Sequence, residues 1–169
     1  MSELLIGAGS DHRKKIQPPG REQWSGLVTL DINADHSPDI LHDLEDIPLP
    51  FTDNEFEEIH AYEVLEHVGR QGDYKFFFAQ WEDFWRILQP AGKFFGSVPL
   101  PTSPWAWGDP SHTRVLPKEC LTFLSQKNYE QVGDTPMSDF RYLYKADFLP
   151  LHVQETDDHL WFVLEAQKP

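Results

Sequence analysis

The sequence holds a single cysteine, Cys120, which excludes an internal disulfide and any multi-thiolate metal centre. No apolar run approaches the ~18 residues that a membrane-spanning helix needs. The first residues lack the basic segment and long apolar segment of a secretory signal. A soluble, reducing, cytoplasmic setting with no membrane partner is the expectation. Cations are scarce: 14 Lys plus Arg stand against 28 Asp plus Glu, a formal net charge of −14. From Glu22 through Gly69 there is no Lys or Arg at all. Such a surface repels a phosphate backbone, so direct binding of duplex nucleic acid is not expected.

What is present suits one packed domain spanning residues 1–169. Hydrophobic residues make up 40% of the 169, with Trp 6 and Phe 12, enough apolar bulk to exclude a disordered chain. Short apolar runs at Ser2–Ile6, Leu27–Asp31, Asp39–Leu41, Phe56–Ala61 and Lys93–Val98 read as strands. Tyr74, Phe77, Phe78, Trp81, Phe84, Trp85 and Leu88 recur at three- and four-residue steps, an amphipathic helix whose aromatic stripe is core. Further helices are expected at Tyr62–Val68 and Pro117–Gln126, with one helical turn at Asp11–Lys15. Leu143–Glu155 and His159–Gln167 read as a hairpin turning at Thr156–Asp158, and Tyr129–Val132 as a strand of unassigned pairing. Pro99–Pro110 reads as a loop, and Arg13, Lys14 and Lys15 as a solvated run. Strands alternating with helices before a terminal hairpin predict an α/β sheet, mostly parallel with an antiparallel edge.

Chemistry enters at the first turn. Gly7-Ala8-Gly9 follows the first strand, and Asp31 ends the second, 22 residues after Gly9. A carboxylate about 20 residues beyond a glycine turn is placed to accept hydrogen bonds from ribose hydroxyls. The third small residue of the dinucleotide fingerprint is missing, His12 standing in its place, and the phosphate-binding pattern G-x-x-x-x-G-K-[ST] is absent. A diphosphate fits poorly. A nucleoside without phosphate remains.

These residues resemble the class I S-adenosylmethionine-dependent methyltransferases, most closely the compact methyltransferase domain 11 type, with its Rossmann-like sheet. The resemblance rests on Leu4-Leu5-Ile6-Gly7-Ala8-Gly9, Leu30-Asp31-Ile32-Asn33 and His42-Asp43-Leu44-Glu45-Asp46-Ile47-Pro48-Leu49-Pro50-Phe51. It continues through Glu63-Val64-Leu65-Glu66-His67-Val68, Arg86-Ile87-Leu88-Gln89-Pro90-Ala91-Gly92-Lys93 and Val98-Pro99. It implies S-adenosyl-L-methionine as cofactor and S-adenosyl-L-homocysteine as product. Gly7, Ala8 and Gly9 would line the methionine moiety, and Asp31 would bind the ribose, with Ile32 on the adenine. Asp43 and Leu44 would meet the adenine edge, and Ala61, Tyr62 and Glu63 would border the methyl group. The family's frequent acid two residues before the first glycine is Leu5 here. The helix after the glycine turn looks truncated, and N-terminal lid helices are missing, so an oligomer or partner covering an open site is expected.

On the acceptor side, Asp109-Pro110-Ser111-His112-Thr113-Arg114 resembles a D-P-x-H-x-R segment of many relatives. His112 suits a general base, with Glu63 and Asp109 beside it as catalytic candidates. Trp105, Trp107 and Arg114 are candidates for the acceptor wall. The alternative for His112 and Arg114 is that they tie the loop down. His67 reads as structural or gating. His36, His60, His152 and His159 do not form a metal-ligand spacing, and no metal is expected. A small-molecule or glycan methyltransferase is the preferred reading. A methyltransferase reaching protein or nucleic acid through a partner is one alternative, and a catalytically silent cofactor-binding subunit is another.

Overall fold

A computed structural model describes residues 2–169. The chain forms β1 (Glu3–Ile6), β2 (Leu27–Asp31), β3 (Ile40–Leu41), β4 (Phe56–Tyr62), α1 (Tyr74–Ile87) and β5 (Leu88–Pro99). It continues with α2 (Pro104–Gly108), α3 (Lys118–Thr122), β6 (Phe148–Glu155) and β7 (His159–Ala166). The strands make one seven-stranded sheet in the order β3-β2-β1-β4-β5-β7-β6. β1 to β5 run parallel, while β7 lies antiparallel to both β5 and β6. The expected architecture is therefore present. Strand order reverses at β1, between β2 and β4, and the crevice beyond the carboxyl ends of such strands is where ligands sit.

One face of the sheet is packed by α1. Asp73 caps that helix by accepting the Phe76 N–H at 3.1 Å, and the aromatic stripe lands where its period places it. Phe78, Trp81, Phe84 and Ile87 are buried, with Trp81 against Phe94 at 4.9 Å between ring centroids and against Phe148 at 5.6 Å. Gly96 makes room for Phe162 beneath it, since a Cβ there would lie 2.2 Å from the Phe162 ring.

The other face carries a loop where a helix was partly expected. Residues 10–26 contain no helical turn, and Lys14, expected in solvent, is buried instead. Its Nζ bridges Glu3 Oε2 at 3.1 Å and Glu58 Oε2 at 2.7 Å, while Arg21 reaches Glu58 at 2.9 Å and Glu57 at 3.0 Å. Two carboxylates on adjacent strands demand a cation once the loop covers them, because an unpaired buried charge is far costlier than a paired one. His60 stacks on Phe95 at 4.5 Å and meets the edge of Trp24 at 4.8 Å.

Other expectations shift for local reasons. Tyr62–Val68 shrinks to a 3₁₀ turn at Leu65–His67, since Glu63 adopts φ 54° and cannot continue a right-handed helix. β6 begins at Phe148 because the Leu143 and Tyr144 N–H groups are spent on Phe140 O. Tyr129 belongs to a 3₁₀ segment, Gln126–Gln131, and the Pro99–Pro110 loop contains α2. The helix expected at Pro117–Gln126 is only α3, with Pro117 as its cap.

Candidate functional site

At the reversal point lies a cavity of about 570 Å³, within the size range of small-molecule sites. Its walls come from the glycine turn, the ends of β2 and β3, and the turn after β4: Gly7, Gly9, Asp31, Ile32, Asp43, Leu44, Glu63 and His67 among others. Gly7 has φ 59°, and a Cβ there would lie 2.2 Å from Val64 Cγ2, so only glycine lets the β4 turn close on the β1 turn. Gly9, at φ 54°, faces open space.

Asp31 locks the two turns together. Its Oδ2 accepts the Gly9 N–H at 2.7 Å and its Oδ1 accepts the Asn33 N–H at 2.7 Å. Burial pushes its pKa up, but these two donors and the His36 ring, 3.3 Å away, outweigh burial and hold the carboxyl below the usual range. Oδ1 still has a free lone pair for a ligand hydroxyl. Ile32 stands two-thirds exposed at the cavity, while Leu44, another of its walls, is buried. Asp43 turns one oxygen back to the Glu45 N–H at 2.9 Å.

Three expected cofactor contacts are not among the cavity walls. Ala8 and Ala61 are buried in the cores on opposite faces of the sheet. Tyr62 lies with Leu5 and Ala8 on the loop-covered face. Its hydroxyl accepts the Ile16 N–H at 3.0 Å and donates to His60 Nδ1 at 2.6 Å, leaving His60 Nε2–H to donate to Glu58 at 3.0 Å. Burial therefore raises the Tyr62 pKa and lowers that of His60. Strand alternation is the reason: Tyr62 shares a face with Glu58 and His60, and the chain presents a side chain to the cavity only one residue later, at Glu63.

Glu63 stands between the cavity and β7, with Oε2 3.4 Å from His159 Nε2 and Oε1 buried without a hydrogen-bond partner. Beside it the 3₁₀ turn brings Glu66 and His67 against the segment after α2. The His67 and His112 rings meet edge to face at 4.5 Å. His112 Nε2 lies 3.8 Å from Asp109 Oδ2 and 4.0 Å from Glu66 Oε1, so His112, Asp109 and Glu63 do come to one end of the cleft. Glu66 is buried, and desolvation, reinforced by Glu63, pushes its pKa up to about 8. Its nearness to His112 had no signature in the chain spacing.

Arg114 does not face this space. It is buried, with Nε donating to Leu65 O at 2.8 Å and a terminal nitrogen donating to Gln80 Oε1 at 2.6 Å. Burial lowers its pKa to about 10. It ties the loop to the β4 turn and α1, the alternative allowed for it. Trp105 and Trp107 are both about two-thirds exposed on α2 and do not line the cavity; Trp107 Nε1 donates to Pro101 O at 3.2 Å. No helix among the described residues is long and apolar enough to cross a membrane.

No protein-family model and no curated protein matches the sequence. Solved structures do match its fold. A SAM-dependent methyltransferase from Archaeoglobus fulgidus is 15% identical with a TM-score of 0.61, over 97% of this chain and 85% of that one. The N-methyltransferase NodS from Bradyrhizobium japonicum WM9, in complex with S-adenosyl-L-homocysteine, is 14% identical with a TM-score of 0.60, over 99% and 78%. The [4+2]-cyclase SpnF is 11% identical with a TM-score of 0.62, over 99% and 76%. The chain thus has the Rossmann-like fold of class I SAM-dependent methyltransferases.

Proposed function

We propose that the protein is a SAM-dependent methyltransferase acting on a small-molecule or glycan acceptor. The observation that carries this reading is Asp31, held at the end of β2 by the Gly9 N–H and opening onto the cavity at the strand-order reversal. The cavity fits the cofactor in charge as well as size. Asp31, Asp43, Glu45 and Glu63 line it, a setting that attracts a ligand bearing a sulfonium and an ammonium against one carboxylate. S-adenosylmethionine supplies an electrophilic methyl group, which passes to the acceptor with its bond electrons left on sulfur.

The chain's own residues do the rest. Asp31 accepts from the ribose hydroxyls, Ile32 packs on the base, and Asp43 meets the adenine edge. The Gly7–Gly9 turn brings backbone close where a side chain would intrude. Alignment of acceptor, carbon and sulfur supplies much of the rate of a displacement, so the residues at the β4 and β5 ends act chiefly by positioning. His112 takes the acceptor proton, with Asp109 Oδ2 3.8 Å from its Nε2. A surface this acidic supports a small acceptor over a polyanion.

A second reading, a cofactor-binding subunit without turnover, is favoured by Leu5, which is buried and leaves the cofactor's amino end without the family's usual acid. Titration calorimetry with S-adenosylmethionine and S-adenosylhomocysteine separates the readings. Binding that Asp31→Ala and Asp43→Ala weaken is expected, and a wild-type protein that binds neither ligand would sink the enzyme. Binding without product from a broad acceptor panel would favour the silent subunit.

A further inference from the structure

The turn after β4 and the segment after α2 converge on a feature the proposed reaction does not require. Glu66, His67 and His112 each offer a ligand atom, and those atoms all lie within 4.8 Å of one another. We infer that Glu66, His67 and His112 form a binding site for one divalent transition-metal ion at the acceptor end of the cleft.

Unmet hydrogen-bonding capacity is the first argument. Both Glu66 carboxylate oxygens and His112 Nδ1 are buried and have no hydrogen-bond partner. Glu66 is 2% exposed, and its closest basic neighbour, His112 Nε2, stays 4.0 Å away. The buried cation nearby, Arg114, bonds Leu65 O and Gln80 Oε1 rather than Glu66. Native interiors rarely leave a carboxylate so bare, and an ion is among the few things that satisfy it.

The second argument is how His67 is held. Ser111 Oγ donates its only proton to Asp109 Oδ1 at 2.6 Å, so toward His67 Nδ1, 3.0 Å away, it acts as acceptor. Nδ1 therefore carries the hydrogen and Nε2 keeps its lone pair. An imidazole fixed in one tautomer through a hydroxyl and a carboxylate is the usual outer support of a metal ligand. Two nitrogens and one carboxylate oxygen, with positions left open, suit zinc and its first-row neighbours better than magnesium or calcium, which take oxygen shells.

The place gives the site a use. His67 also lines the cofactor cavity, so an ion here would sit at the methyl-transfer end. If the methyltransferase reading holds, the ion would orient and acidify an acceptor with an oxygen donor, taking over from His112, which as a ligand no longer acts as the base. Only this last clause rests on that reading, because the ion's binding needs neither cofactor nor acceptor.

The test is therefore made without them. Metal-stripped protein is titrated with Zn²⁺ by calorimetry and with Co²⁺ by visible absorption, which reports the ligand set. One ion per chain is expected, with affinity falling at least about tenfold in Glu66→Gln, His67→Ala and His112→Ala. Ser111→Ala should weaken binding less, and His152→Ala, on the exposed edge strand, should leave it unchanged. Circular dichroism and melting curves of each variant exclude unfolding as the cause. Wild-type protein that binds neither ion, or binding that survives all three ligand substitutions, overturns the site. Failure of S-adenosylhomocysteine to bind would overturn the methyltransferase reading and leave the metal site standing.

Discussion

Gly9 and Asp31 are joined by a 2.7 Å hydrogen bond from the glycine N–H to the carboxylate, which fixes the β1 turn against the end of β2. The same carboxylate also holds the Asn33 N–H, so it is both a brace and the proposed ribose acceptor. Asp31→Ala should weaken S-adenosylhomocysteine binding at least about tenfold and destabilise the fold by about 1–3 kcal/mol, the usual cost of stranding buried donors. Asp31→Asn keeps one acceptor oxygen and should recover part of the stability but less of the affinity. Calorimetry and thermal melts measure the two separately; unchanged affinity in both variants would remove Asp31 from the ligand site.

Arg114 gives a prediction of the opposite kind. With its guanidinium bonded to Leu65 O and Gln80 Oε1, Arg114→Ala leaves Gln80 Oε1 unpaired and Leu65 O with only the Val68 N–H at 3.3 Å. A loss of about 2–5 kcal/mol in urea unfolding is expected. An acceptor-binding arginine would instead show a raised KM at unaltered stability, and that outcome would return Arg114 to the substrate wall.

The strand runs, the aromatic helix and the terminal hairpin were readable because each buries residues with a clear period. Asp31 could be placed because its spacing from the glycine turn is set by the β1–β2 crossover, whereas Ile32, Asp43 and Leu44 were reached only through the family resemblance. Lys14 could not, since nothing local says that a loop will carry it over Glu3 and Glu58. Tyr62 was misplaced by a single residue, and in a strand one residue exchanges the two faces of the sheet. The approach of His112 to Glu66 and His67 arises only when the β5–α2 excursion returns to the β4 turn, a tertiary event with no periodic trace. The arginine of the same segment then faces inward, where Leu65 O and Gln80 Oε1 take two of its donors.

The Lys14–Glu58 pair sets the acid limit of the fold. Burial pushes the Glu58 carboxyl up, but His60, Lys14 and Arg21 outweigh it and hold it at about 2, against an ordinary 4.5. A depressed carboxylate contributes stability that is complete above the unfolded value and drains away as pH falls through the folded one. Stability should therefore decline from about pH 4.5 toward pH 2. Lys14→Met removes one partner of a buried pair, at a cost of about 3–5 kcal/mol, and by raising the folded Glu58 pKa it should shrink that decline and lift its lower end. Urea midpoints across pH 2–7 test this; a decline of equal size ending at the same pH in the two proteins would show that Lys14 does not hold Glu58.

His36 and His112 should separate binding from turnover. His36 lines the cavity with its Nδ1 3.3 Å from Asp31 Oδ2, whereas His112 is outside that lining and faces Asp109 and Glu66. His36→Ala removes a contact that supports the Asp31 carboxylate, so S-adenosylhomocysteine affinity should fall several-fold. His112→Ala should leave that affinity near wild type and lower turnover by about 10²–10⁴, the range expected when a general base is lost. Turnover is measured with an acceptor drawn from the panel. Equal loss of affinity and turnover in His112→Ala would assign the side chain to holding the loop, and the base would have to be sought at Glu63.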